Sequence, residues 1–238
     1  GTAQLLREEL QWLAGTVGTA RDLEVMRTHL TELIRAEPPD LIIEPVEDHL
    51  LDQLGAEYET ALANGLAAME SDRYFRLLDA LDSFLADPPL SGAAQAHKKA
   101  LGTVGQLVNA ERKRLNDAVK SLGRASDDES ANPALHEVRK SAKRLRYAAE
   151  AAVPVFGKQA ARLARTAEEV QTILGDHQDS VVSREKLRSL ATVPFEGGGG
   201  TGFTYGRLHA LEQQRGAEAR GRFFRAWQES PPKALHRK

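Results

Sequence analysis

The chain of 238 residues has no cysteine. This removes disulfides, thiolate nucleophiles and cysteine-based zinc knuckles, and permits a reducing compartment without requiring one. Aromatic residues are scarce, at 5%, and the apolar content is rich in Ala and Leu, which favours helices over sheets. No run of about 18 apolar residues occurs, so no segment reads as a membrane span. No signal-peptide pattern opens the sequence, whose first residues already follow a helical pattern, as those of a trimmed chain would. The formal net charge is only −2, with a pI near 6.4. That balance excludes a protein that coats nucleic acid indiscriminately, so any basic site must be local. The length suits one large domain or two small ones with a substantial core.

Apolar spacing predicts helices along most of the chain. The first covers Ala3 to Ala14, with Leu5, Leu6, Leu10 and Leu13 on one side. Gly15 to Gly18 is expected to interrupt it, and a second helix runs from Thr19 to Arg35 until Pro38-Pro39 ends it. Leu41 to Pro45 is an apolar connector with no partner strand and reads as loop. Helices follow over Val46 to Met69 and Asp72 to Leu85, and Ser91 is expected to cap another that reaches Leu122. Gly123 to Asn132 is polar and acidic, a linker between halves. Past Pro154 and Gly157, helices are predicted over Lys158 to Leu174, Gln178 to Leu190, Thr204 to Arg220 and Gly221 to Glu229, with a flexible glycine-rich loop over Pro194 to Gly202. No stretch alternates with period two, so the chain reads as an all-α helical bundle.

The site candidate is Leu135 to Glu150, LHEVRKSAKRLRYAAE. Turning each residue by about 100° gathers Leu135, Val138, Ala142, Leu145 and Ala149 on one stripe. His136, Arg139, Lys140, Lys143, Arg144 and Tyr147 lie opposite, with Arg146 at the edge. Asn132-Pro133 reads as its start, a cap residue ahead of a first-turn proline. Solvation is the ordinary explanation of a charged helical face. Such faces usually mix signs in i,i+4 pairs, whereas the acid near this arc is Glu137 at its border. Like charges crowded together require an anionic neutraliser, so a polyanion is the first ligand to consider.

The chain also repeats itself. Gly18-Thr-Ala-Arg-Asp22 resembles Gly175-Asp-His-Gln-Asp179, 157 residues later, and Arg73-Tyr-Phe-Arg76 resembles Arg222-Phe-Phe-Arg225, 149 residues later. Two like halves are expected: residues 1–123, a linker at 124–132, and 133–230. Carried back by the larger offset, His136 falls before residue 1. The basic helix of the first half is therefore expected upstream, with a His-x-x-Arg start.

His136-x-x-Arg139-Lys140-x-x-Lys143-Arg144-x-Arg146-Tyr147-x-x-Glu150, followed by Leu174-Gly175-x-x-Gln178-Asp179, resembles the signature of the CHAD family, the conserved histidine α-helical domains. Trp12-Leu13, Gly18 and Ala20-Arg21-Asp22-Leu23-x-Val25 resemble its first-half counterpart. The resemblance implies one domain of two pseudo-symmetric four-helix repeats around a basic central channel that binds inorganic polyphosphate and performs no chemistry of its own. It implies phosphate-facing roles for His136, Arg139, Lys140, Lys143, Arg144 and Arg146. It also implies a triphosphate-tunnel domain as a frequent upstream neighbour, and a cytoplasmic address with association to polyphosphate granules. The sequence departs from the family in lacking the first basic helix and in having Leu101-Gly-Thr-Val-Gly-Gln where members are often more basic.

Polyphosphate carries roughly one negative charge per phosphate and offers no base edges, so its receptor needs rows of cations and no stacking platform. Arginine supplies forked donors, lysine mobile point charges, and histidine a conditional cation whose charged form bound phosphate favours. Tyr147 either donates a hydrogen bond or packs between helices. Lys98, Lys99, Arg112, Lys113 and Arg114 either extend the channel wall or are simply solvated. Asp22 and Asp179 read as helix caps following glycine rather than as catalysts. Asp176, His177 and Asp179 do not converge as metal ligands would, and no cofactor is expected. Two other readings stand beside polyanion binding. One is a phosphohydrolase using His136, with neither an acidic cluster nor metal-ligand spacing to support it. The other is a scaffold whose basic helix meets an acidic partner or nucleic acid.

Overall fold

The computed structural model describes residues 2–43, 45–87, 96–123, 128–192 and 201–236. Among them lie eight α-helices and no strand: α1 (Thr2–Ala36), α2 (Val46–Met69), α3 (Asp72–Ala86), α4 (Ala96–Leu122), α5 (Asp128–Ala151), α6 (Val153–Phe156), α7 (Lys158–Thr192) and α8 (Thr201–Glu229). None of these helices is long and apolar enough to cross a membrane. A 3-10 turn at Pro39–Leu41 opens the apolar connector read as loop. The chain forms two compact units, each built from two stretches. Unit 1 is Gly1–Ser91 with Lys186–His209, and unit 2 is Gly92–Glu185 with Ala210–Lys238. The repeat boundaries at 123 and 133 stand as a sequence-based expectation.

Helix ends follow local chemistry. Pro38-Pro39 comes just past the end of α1. The Ser71 hydroxyl accepts from the backbone N–H of Tyr74 at 3.3 Å and starts α3. Gly157, with φ +52°, turns the chain from α6 into α7 while its N–H reaches the Val153 carbonyl at 2.8 Å.

Several breaks predicted from the sequence do not occur. Gly15–Gly18 lies inside a continuous α1, Gly175–His177 inside α7, and Arg220-Gly221 inside α8. A helical glycine costs about 1 kcal/mol against alanine, too little to end a helix whose flanking turns pack. Asp22 and Asp179 consequently sit in helix interiors, where there is no N-terminus to cap, which corrects their reading. Helix α5 starts at Asp128, inside the expected linker, so Pro133 is an interior proline rather than a first-turn one. Near the start of a helix the proline forfeits a single intrahelical hydrogen bond. The Ser91 cap, linker residues 124–127 and loop residues 193–200 lie outside the described residues.

In unit 1, α1 packs against α2 and α3. Buried Leu30, Ile34, Val46, Leu50, Leu54 and Leu77 are its apolar centre. The buried Tyr205 hydroxyl meets His49 Nδ1 at 2.9 Å, and burial pushes the phenol pKa up to about 12.

Unit 2 has a contiguous core. Val108, Leu115 and Leu122 of α4, the α5 stripe, Leu163, Ala167, Val170 and Leu174 of α7, and Phe223 of α8 all belong to it. The tail beyond α8 closes it. Leu235 is buried in the core, and the Asn109 side chain brackets its backbone, Nδ2 donating to the Leu235 carbonyl at 3.0 Å and Oδ1 accepting from its N–H at 2.9 Å.

The 157-residue offset carries Leu163, Ala167, Val170 and Leu174 onto Leu6, Leu10, Leu13 and Val17. The apolar register recurs but the burial does not. The four in α7 are buried, whereas Leu10 is 44% and Val17 41% exposed.

Where α7 and α8 approach, Gly216 leaves no space for a side chain: a Cβ there would run into the buried Ser180 Oγ, itself donating to the His177 carbonyl at 2.7 Å. Gly206, in the same helix, has nothing within 4 Å of its Cβ position. Gly216→Ala is therefore expected to destabilise by about 1–3 kcal/mol through overpacking, and Gly206→Ala to stabilise by up to about 1 kcal/mol through helix propensity. Urea denaturation of both variants checks the opposite signs.

Candidate functional site

The basic helix is α5, and its two faces divide as its periodicity predicts. Leu135, Val138, Ala142, Leu145 and Ala149 are at most 1% exposed, in one core with residues of α4 and α7. Burying such a stripe removes the helix's freedom to rotate about its axis. Lys140, Lys143, Arg144 and Tyr147 are thereby exposed, with His136, Arg139 and Arg146 half-buried beside them.

The two sequence motifs, 42 residues apart, meet in space. His136 Nδ1 lies 2.9 Å from Gln178 Oε1 on α7. An amide oxygen there accepts, so Nδ1 carries the proton and Nε2 of the neutral ring is left as the acceptor. Arg139 Nε is buried 3.9 Å from the Cβ position of Gly175, again on α7, and has no hydrogen-bond partner. The ion pairs of this face are made by Lys140, Arg144 and Arg146. Among the described residues neither Arg139 nor Lys143 has a carboxylate partner.

The paired cations are a feature that the sequence reading did not anticipate. Lys140 Nζ donates to Glu137 Oε1 at 2.6 Å. That hydrogen bond, first, holds the Glu137 carboxyl below its ordinary value; the charges of Lys140, Arg144 and His136 add to it, and a smaller effect of burial opposes it. Arg144 Nη2 donates to Ser141 Oγ at 2.9 Å while its Nε lies 3.8 Å from Glu111 on α4. Arg146 is the most engaged, bonded to Glu150 at 3.0 Å and lying 3.7 Å from Glu168 and 3.4 Å from Gln171 on α7. Of the six cations, Arg146 is thus the one drawn into ion pairing toward α7 rather than presented outward. Glu111 carried a signal, as a lone acid inside Glu111-Arg112-Lys113-Arg114. Glu168 carried none, because its place beside Arg146 depends on how α5 and α7 pack.

Tyr147 is half exposed and does not pack between helices. Its ring lies under two cations, 5.9 Å from Lys143 Nζ and 5.1 Å from the Arg146 guanidinium carbon. Of the secondary candidates, Arg112 has a buried Nε with no hydrogen-bond partner, and Lys113 is exposed. The side chains of Lys98 and Lys99 lie outside the described residues. Asp176 is taken up as an ion-pair partner by Arg222 at 2.7 Å and Arg215 at 3.8 Å.

Several known proteins resemble the chain. PptA from Streptomyces chartreusis shares its fold, with a TM-score of 0.75 and 23% identity over 94% of this chain and 79% of that one. Two uncharacterized proteins of Mycobacterium tuberculosis, MT2285 of strain CDC 1551 / Oshkosh and Rv2226 of strain ATCC 25618 / H37Rv, are each 39% identical over 205 residues. The match takes in 86% of this chain but only 38% of the length of those two relatives. Residues 2–188, from the first turn of α1 through the His136 and Gln178 motifs, match the CHAD domain, and the chain belongs to the CHAD family.

Proposed function

We propose that the chain binds inorganic polyphosphate, or a similar polyanion, along the outward face of α5, and that it acts as a binding module and not as an enzyme. The observation that carries this reading is the state of Arg139 and Lys143. Both stand on a helix locked by its buried stripe, and among the described residues neither has a carboxylate partner. Membership of the CHAD family supports it. Arg139, Lys140, Lys143 and Arg144 supply donors of the kinds that phosphate oxygens accept, beside the half-buried His136. The exposed aromatic on this face, Tyr147, is engaged by cations, whereas a nucleic-acid platform would need it for base stacking.

Lys140 and Lys143 separate site from scaffold. Replacing both by Glu is expected to abolish polyphosphate binding while leaving the melting temperature nearly unchanged, since the exposed Lys140–Glu137 pair contributes about 0–1 kcal/mol. Leu145→Ala is expected to cost about 2–5 kcal/mol of stability and to spare binding in the protein that remains folded. Thermal melts and isothermal titration of both variants check this. If the lysine variant unfolds while the leucine variant stays folded without binding, the two faces are inverted.

Binding by charge also sets the solution behaviour. By analogy with nucleic-acid backbones, affinity for long polyphosphate should fall steeply and log-linearly with salt through counterion release. A titration series in rising sodium chloride gives the slope, and a salt-independent affinity would place the ligand elsewhere.

A further inference from the structure

Glu111 sits among cations, yet its two carboxylate oxygens have unlike surroundings. Oε1 accepts from the Arg114 guanidinium one turn along α4. Oε2 is buried, has no hydrogen-bond donor, and lies 3.8 Å from Arg144 Nε. That separation is too long for a hydrogen bond, so the attraction to Arg144 is coulombic and loosely held. Arg144 commits its Nη2 to Ser141 Oγ at 2.9 Å. A bidentate, hydrogen-bonded carboxylate would take Arg144 out of use. A loose one can be displaced.

We propose that Glu111 is an internal competitor for the anion seat at Arg144, and that it makes the basic face of α5 prefer long polyphosphate chains over short ones. This deepens the polyphosphate reading above and rests on it. A tethered carboxylate lowers the occupancy of its seat by a fixed factor, whatever phosphate seeks to enter. A short anion draws a large share of its affinity from each seat and bears that factor in full. A long chain also reaches Arg139, Lys140 and Lys143, so it can leave Arg144 paired with Glu111 and lose little, or displace the carboxylate with several contacts acting together. The carboxylate therefore weakens tripolyphosphate and other small phosphates more than it weakens the polymer.

The test titrates tripolyphosphate and long-chain polyphosphate into the wild-type chain, Glu111→Gln, Glu111→Ala and Asp117→Asn. Gln keeps the size of Glu111 and an acceptor for Arg114 while removing the charge, and Ala serves should Gln perturb folding. Asp117, on the same helix and 3.8 Å from Lys120, controls for loss of one negative charge from α4. Glu111→Gln and Glu111→Ala are expected to tighten tripolyphosphate about tenfold and the long chain by less than about threefold, with Asp117→Asn below about twofold for both ligands. Equal gains for the two ligands, gains no larger than those of Asp117→Asn, or a loss of affinity would each overturn the competitor role. If the wild type binds long chains and the Lys140, Lys143 double variant does not, while the Glu111 variants behave as wild type, this inference alone fails. If the wild type binds neither ligand, it falls together with the polyphosphate reading.

Discussion

Everything proposed for this protein depends on the burial of one stripe on α5. Leu135, Val138, Ala142, Leu145 and Ala149 are almost wholly removed from water, and each fully buried leucine of that set stabilises by about 1.5–3 kcal/mol. That energy holds the helix in one rotational setting and presents its cations together in spite of their mutual repulsion. A helix with the same charges and a weaker stripe could turn, or fray, to spread them. The site is therefore a product of packing, and the charge pattern is what the packing makes tolerable.

The face is not a uniform field of positive charge. Glu111, Glu137, Glu150 and Glu168 each reach at least one cation of α5, so the free protein partly neutralises itself. The contacts differ in grip. Arg146 is held from two helices, Lys140 by one short hydrogen bond, and Arg144 only at a distance. Among the described residues, Arg139 and Lys143 face no carboxylate at all. Such a gradation suits a flexible polymer, which can settle first on the open cations.

Much of this was legible in the sequence, for reasons that particular residues make plain. The faces of α5 followed from a helical period with apolar and basic positions in antiphase, and the span of α2, Val46 to Met69, followed from the spacing of its apolar residues. Glycine misled. Gly15, Gly18, Gly175 and Gly221 read as punctuation, but a glycine's helical cost is small beside the packing of a long helix, and Gly216 is there because α7 and α8 come close. The same limit explains Glu111 beside Arg144 and Glu168 beside Arg146. A carboxylate on α4 or α7 is far along the chain, and only the packing of helices brings it to α5.

The bracket that Asn109 makes around Leu235 carries a consequence for biosynthesis. It joins positions 126 residues apart, and unit 2 itself is assembled from two separated stretches. A chain emerging from the ribosome presents α4 and α5 long before α8 and the tail that complete their core, so that apolar surface must wait uncovered while the intervening helices are made. For this protein, the order of translation and the order of core completion run far apart, and the interval between them is when a chaperone would find most to hold.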